Sequence, residues 1–152
     1  MINEIKTYSP FEFFFDSCRL KNMKLNTYSK ILMTISALYL VIIGMCLSFL
    51  PEEIINYLNI NSNVITTLFF QLLGALYLGF GILNWTLKGS RIGGIYNRPV
   101  LMGNFIHFLI GAIALIKIVT GIQAHSEIII FLMIVYSILS ISFAILFKSK
   151  PT

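Results

Sequence analysis

Four long apolar runs, separated by short polar breaks, dominate the chain. They cover residues 31–50, 64–87, 100–122 and 128–147. Each reaches the roughly 20 residues that carry an α-helix across about 30 Å of hydrocarbon at about 1.5 Å per residue. Hydrocarbon offers no partner to the backbone of an open strand, so each run predicts a spanning helix despite its isoleucine content. Short connections make successive helices antiparallel neighbours. The expected fold is therefore all-α: an integral-membrane, antiparallel four-helix bundle.

The breaks have characters of their own. Residues 1–30 are mixed, with a short apolar stretch at 11–15 (FEFFF) interrupted by Glu12. Arg19, Lys21, Lys24 and Lys30 then precede the first run. The long charged lead, the length of that run and the lack of a small-x-small site after it argue against a cleavable signal peptide. Residues 1–30 read as a cytoplasmic segment. Residues 1–22 are a candidate upstream extension, because MKLNTYSK from Met23 makes an ordinary start before an apolar helix. After the first run comes PEEIINYLNINSN. Pro51 suits a first helical turn, Glu52 and Glu53 favour a helix N-terminus, and Ile54, Ile55 and Leu58 fall to one side. This segment predicts a short helix lying in the outer interface. The break at 121–127 reads as a tight turn carrying His125.

Composition agrees with lipid as the solvent: only 11% of residues are charged, against about 25% in soluble domains. The length allows about one domain. A net charge of +5 in a soluble chain would raise nucleic acid as a partner. Here the basic residues flank apolar runs, so membrane lipids are the expected partners and nucleic acid is not. Five Lys and Arg precede the first run (Lys6, Arg19, Lys21, Lys24, Lys30), three lie between the second and third (Lys88, Arg91, Arg98), and two end the chain (Lys148, Lys150). Only Lys117 falls on the other side, where it can snorkel. The ten-to-one split puts both termini, including the tail 148–152, in the cytoplasm. Ile occurs 26 times against six Ala, a bias that hints at an AT-rich bacterial genome and hence a bacterial cytoplasmic (inner) membrane. Cys18 and Cys46 form no CxxC and read as unpaired thiols.

The unusual residues gather in the second and third runs and their basic loop. Gln71, Gly74, Leu78, Gly81 and Trp85 recur at spacings of three and four, as do Gly103, His107 and Gly111. Each set forms one helical stripe. Small residues let helix backbones approach, and polar side chains bond across the contact. The plain reading is that Gln71, Gly74, Gly81, Gly103 and Gly111 mark where the second and third helices pack. Asn84, Asn104 and His107 fall at similar depths beneath Lys88, Arg91 and Arg98. The functional reading is a polar notch (Asn84, Asn104, His107) under a basic rim (Lys88, Arg91, Arg98) that accepts an anionic headgroup. The competing reading of His107, which weighs more, is a neutral ring bonded to Asn104 or a backbone carbonyl.

Other chemistries find little support. His107 and His125 lie near opposite faces, so no shared metal or haem is expected, and no other cofactor is indicated. No Asp or Glu lies within a run. Tyr39, Tyr77 and Tyr136 suit quinone chemistry but are more usually packing residues, and no base accompanies Ser137 or Ser140. No catalytic constellation emerges.

The first run ends in FLPEEIINYL, the second is the glycine-rich LLGALYLGFGILNW, and a basic turn leads to a third run bearing a histidine. In these features residues 30–147 resemble small bacterial four-helix membrane proteins of the DoxX-like kind. The resemblance implies the four-helix architecture. Some members are associated with quinone-linked oxidation of sulfur compounds, but no catalytic motif carries over here. The expected function is a non-enzymatic, lipid-interacting or accessory membrane component, with a membrane-protein partner or homo-oligomer allowed. The alternatives are a quinone-linked oxidoreductase subunit or a small oligomeric transporter.

Overall fold

A computed structural model of the chain describes residues 10–89, 97–119 and 126–149. It contains five helices: α1 (Pro10–Phe49), α2 (Pro51–Tyr57), α3 (Val64–Leu87), α4 (Asn97–Val119) and α5 (Ser126–Lys148). Four of them, α1 and α3 to α5, are long and apolar enough to cross a membrane, which makes this a multi-pass membrane protein. The span in α1 runs from Met23 to Phe49, eight residues earlier than the first apolar run. The helix itself continues back to Pro10, because nothing between Pro10 and Ile31 breaks it. α4 starts at Asn97, before Val100. Pro99 is tolerated there because the first-turn N–H groups of a helix have no intrahelical acceptor.

The short helix α2 forms where the PEEIINYL segment predicts one, with Pro51 in its first turn and Glu52 and Glu53 beside its N-terminus. Pro51 and Ile55 are buried. It stops at Asn59, which takes a left-handed φ of 53°, a conformation asparagine tolerates better than most residues. The Asn59 N–H then donates to the Asn56 carbonyl at 3.1 Å and the Ile60 N–H to the Ile55 carbonyl at 3.1 Å. This is a Schellman closure. Asn63 caps α3, its side-chain oxygen accepting from the Thr66 N–H at 2.7 Å.

The helices associate in two principal pairs, α1 with α3 and α4 with α5. Backbone contact makes the first. A Cβ placed on Gly44 would lie 2.8 Å from the Leu78 nitrogen and 2.9 Å from the Gly74 carbonyl oxygen. One placed on Gly81 would lie 3.1 Å from the Ala37 carbonyl oxygen. The pairing descends along α1 as it ascends along α3: Ser48 and Gly44 meet Gly74, and Val41 and Ala37 meet Gly81. Side chains make the second pair. Phe108 stacks on Phe143 at 5.7 Å, and Gly111 admits the ring of Tyr136. The buried core cluster draws Leu32, Met33 and Leu40 from α1, Leu101, Phe108 and Ala112 from α4, and Tyr136, Leu139, Phe143 and Leu146 from α5. The fully buried residues of α3 are Gly74, Gly81 and Asn84, and Tyr77, Phe80 and Leu87 pack against the cluster from its edge.

This corrects the expected packing of the second and third helices on each other. Gly74 and Gly81 face α1, and Gly111 faces α5. Gly103 does look toward α3, but a Cβ there would stand 3.8 Å from Phe80, an ordinary contact. Gln71 is exposed. A glycine stripe reveals close approach without naming the helix that approaches.

Replacing Gly44 or Gly74 with Leu should force α1 and α3 apart and cost about 1–3 kcal/mol, the usual range for overpacking. Gly103→Ala has room and should leave stability unchanged or slightly higher. Thermal unfolding of the detergent-solubilised protein measures both, and a tolerated Gly74→Leu would contradict the α1–α3 contact.

Candidate functional site

Asn84 of α3 and Asn104 of α4 meet as a reciprocal amide pair. The Asn84 Nδ2 donates to the Asn104 Oδ1 at 2.7 Å, and the Asn104 Nδ2 donates back to the Asn84 Oδ1 at 2.7 Å. The second Asn84 N–H donates to the Ser36 Oγ of α1 at 3.1 Å, and the second Asn104 N–H to the Val100 carbonyl at 2.9 Å. The Ser36 hydroxyl in turn donates to the Met33 carbonyl at 3.1 Å. A primary amide has two donors, so all four N–H groups are used. Both asparagines are completely buried, and Ser36 with them. Three helices are thus joined at one level by polar groups that have no aqueous alternative.

The expected notch is therefore closed on itself. Asn84 and Asn104 are brought together, but no amide donor remains for a headgroup. The expected Asn104–His107 bond is absent as well, because the Asn104 amide is committed to Asn84 and Val100. His107 lies one turn further along α4, in an aromatic layer. Its ring stacks on Phe80 at 5.2 Å, meets Tyr77 and Phe108 edge-on at 5.3 and 5.1 Å, and tilts against Tyr136 at 5.8 Å. The Tyr136 hydroxyl donates to the Tyr77 hydroxyl at 2.7 Å. Tyr39 of α1 meets Tyr136 edge-on at 6.1 Å. The His107 Nε2 and the Tyr39 hydroxyl are buried and have no hydrogen-bond partner among the described residues. Side chains from all four spanning helices converge here.

Of the basic rim, Lys88 ends α3 with its ammonium 2.9 Å from the centre of the Trp85 ring, a cation–π contact. Arg98 is exposed in the first turn of α4. Arg91 lies outside the described residues, as does His125. Sequence reasoning passed over Ser36, one of several hydroxyls in the first run, as a member of the amide layer, and Gly44, whose spacing of four to Ser48 was its signal, as the α1 contact of Gly74.

The order of contacts along the helices also sorts the charges. Lys24, Lys30, Lys88, Arg98 and Lys148 lie on the chain-end side of the amide layer, toward the N-terminus of α1 and α4 and the C-terminus of α3 and α5. Glu52, Glu53, Lys117 and Glu127 lie on the other side. No family model matches this chain, and no curated protein or solved structure is found to be similar to it.

Asn84→Leu should strand the Asn104 amide and cost about 1–3 kcal/mol, the penalty of an unsatisfied buried polar group. Asn84→Leu/Asn104→Leu removes both partners and should cost less than the two single replacements added together. A double-mutant cycle in thermal or denaturant unfolding measures the difference, and strict additivity would contradict the pair.

Proposed function

We propose that this chain is a non-enzymatic, lipid-interacting accessory protein of the bacterial cytoplasmic membrane. In this reading it is an antiparallel four-helix bundle with both termini in the cytoplasm and α2 in the outer interface. The architecture is that of DoxX-like proteins, which the chain resembles in its glycine-rich second span and its PEEIINYL segment. The observation that carries the reading is the separation of charge about the amide layer. Among the described residues, seven cations and two carboxylates (Glu12, Asp16) lie toward one end of the spans, while three carboxylates accompany a single lysine at the other. Basic residues near the cytoplasmic surface attract anionic lipid at about 1 kcal/mol each and also set orientation. With the asparagine pair satisfied internally, headgroup contact falls to the rim: Lys88, Arg98 and the neighbouring Arg91.

Neutralising the rim with Lys88/Arg91/Arg98→Gln should lower anionic-lipid affinity by about 3 kcal/mol, over a hundredfold. Native mass spectrometry of protein with its retained lipids reads this, and unchanged retention of anionic lipid would overturn the proposal. Orientation is read separately: a cysteine in place of Asn61 should react with an impermeant thiol reagent from outside intact cells, and one in place of Ser90 should not.

A second reading, a quinone-linked oxidoreductase subunit, is favoured by one feature: the unbonded His107 Nε2 and Tyr39 hydroxyl beside the Tyr77–Tyr136 pair. Polar groups left unpaired in an apolar interior invite a ligand. A quinone band in the absorption spectrum of the purified protein, lost in Tyr39→Phe/His107→Leu, would favour this reading over the first.

A further inference from the structure

Beyond the lipid-interacting reading, we propose that the chain forms a homodimer through α3, whose free face docks against α3 of a second copy. Gln71 carries the argument. It lies seven residues into the span, about 10 Å along the helix axis. Its side chain is exposed on the outside of the chain and has no hydrogen-bond partner among the described residues. Facing lipid at that depth, its amide would have nothing to bond to, and an unpaired amide in hydrocarbon is costly.

The amide also points to the partner. It carries donor and acceptor together and so is self-complementary. A two-fold axis along the membrane normal brings residue i of one copy against residue i of the other. Two Gln71 side chains can then bond each other as Asn84 and Asn104 do inside the chain. A partner of different composition would need its own polar group at this depth, whereas a second copy supplies one by construction.

The surrounding face permits the approach. Ala75 and Gly79 follow Gln71 at intervals of four, on the same side of the helix. Both are exposed, and a Cβ on Gly79 would meet nothing within 4 Å. Leu68, Leu72 and Ile82, also exposed, flank this strip and supply apolar contact. Gln71 borders the Gly74 and Gly81 stripe that is committed to α1, and Ala75 and Gly79 lead away from that stripe around the helix. α3 is moreover the least buried of the four spans.

The test uses the full chain in phospholipid vesicles, on a Cys18→Ala/Cys46→Ala background. Single cysteines are introduced as A75C, G79C, F69C and L73C. Oxidation should link A75C and G79C into dimers far more than F69C or L73C, which point elsewhere around the helix. Gln71→Leu places an apolar side chain toward lipid and should leave the monomer folded, with unchanged helix content. It should nonetheless weaken dimerisation about tenfold, the scale of a polar contact between membrane helices, when read by energy transfer between labelled copies at falling protein-to-lipid ratio. Gly79→Leu should weaken it further by blocking approach. Equal cross-linking at all four positions would overturn the proposal. So would energy transfer insensitive to Gln71→Leu, or cross-linking in native membranes to a different protein instead of a second copy.

Discussion

An amide side chain inside a membrane has no water to turn to, and this constraint organises the molecule around Asn84 and Asn104. Left alone, either group would carry a desolvation penalty of a few kcal/mol. Facing each other, they use every N–H they possess, with Ser36 and the Val100 carbonyl taking the remainder. The pair matters because of where it lies. α1 grips α3 and α4 grips α5, while α3 and α4 touch only slightly. The amide pair spans that thin seam and, through Ser36, reaches α1. It joins the two helix pairs by polar bonds at one level, alongside the core cluster shared by α1, α4 and α5 and the aromatic layer one turn away.

The two pairs are built on different physics. In α1–α3, glycines remove side chains so that backbones meet, and helices in lipid gain from such close packing because the hydrophobic effect cannot drive them together. In α4–α5, Phe108, Phe143 and Tyr136 fill the space, with Gly111 cut back to admit a ring. The consequence is an asymmetric molecule. α3 contributes little bulk to the core and leaves most of its apolar surface uncovered, whereas α1, α4 and α5 share the buried cluster. The aromatic layer around His107 sits one turn beyond the amide layer, and there all four spans bring rings or hydroxyls together. Charge lies outside both layers, predominantly basic at one end, which is the arrangement that the proposed lipid contact uses.

Much of this was legible in the residues. The span lengths follow from apolar runs, and α3 matches its run residue for residue because Asn63 caps it at one end and Lys88 and Gly89 follow it at the other. Asn84 and Asn104 stood out as polar groups at a shared depth, and they do meet. The use they make of each other did not show, because a polar residue signals the need for a partner without saying whether the partner is protein or ligand. Helix partnership was the larger gap. Gly74 and Gly81 announce a close contact, but the reciprocal glycine, Gly44, lies in a run with no other sign of packing. Adjacency in sequence therefore suggested α4 where the partner is α1. The orientation of His107 was also hidden, since spacing alone places it on a face with Gly103 and Gly111 and does not show that rings from α3, α5 and its own helix enclose it.

The central claim is that a buried reciprocal amide pair couples the two helix pairs. Solid-state NMR of protein with labelled asparagine side chains in lipid bilayers tests it most directly. The account predicts a through-space correlation between the Asn84 and Asn104 side-chain amides, of the strength expected for mutual N···O distances of 2.7 Å, with both amides protected from deuterium exchange. Two uncorrelated amides that exchange freely with solvent would contradict it.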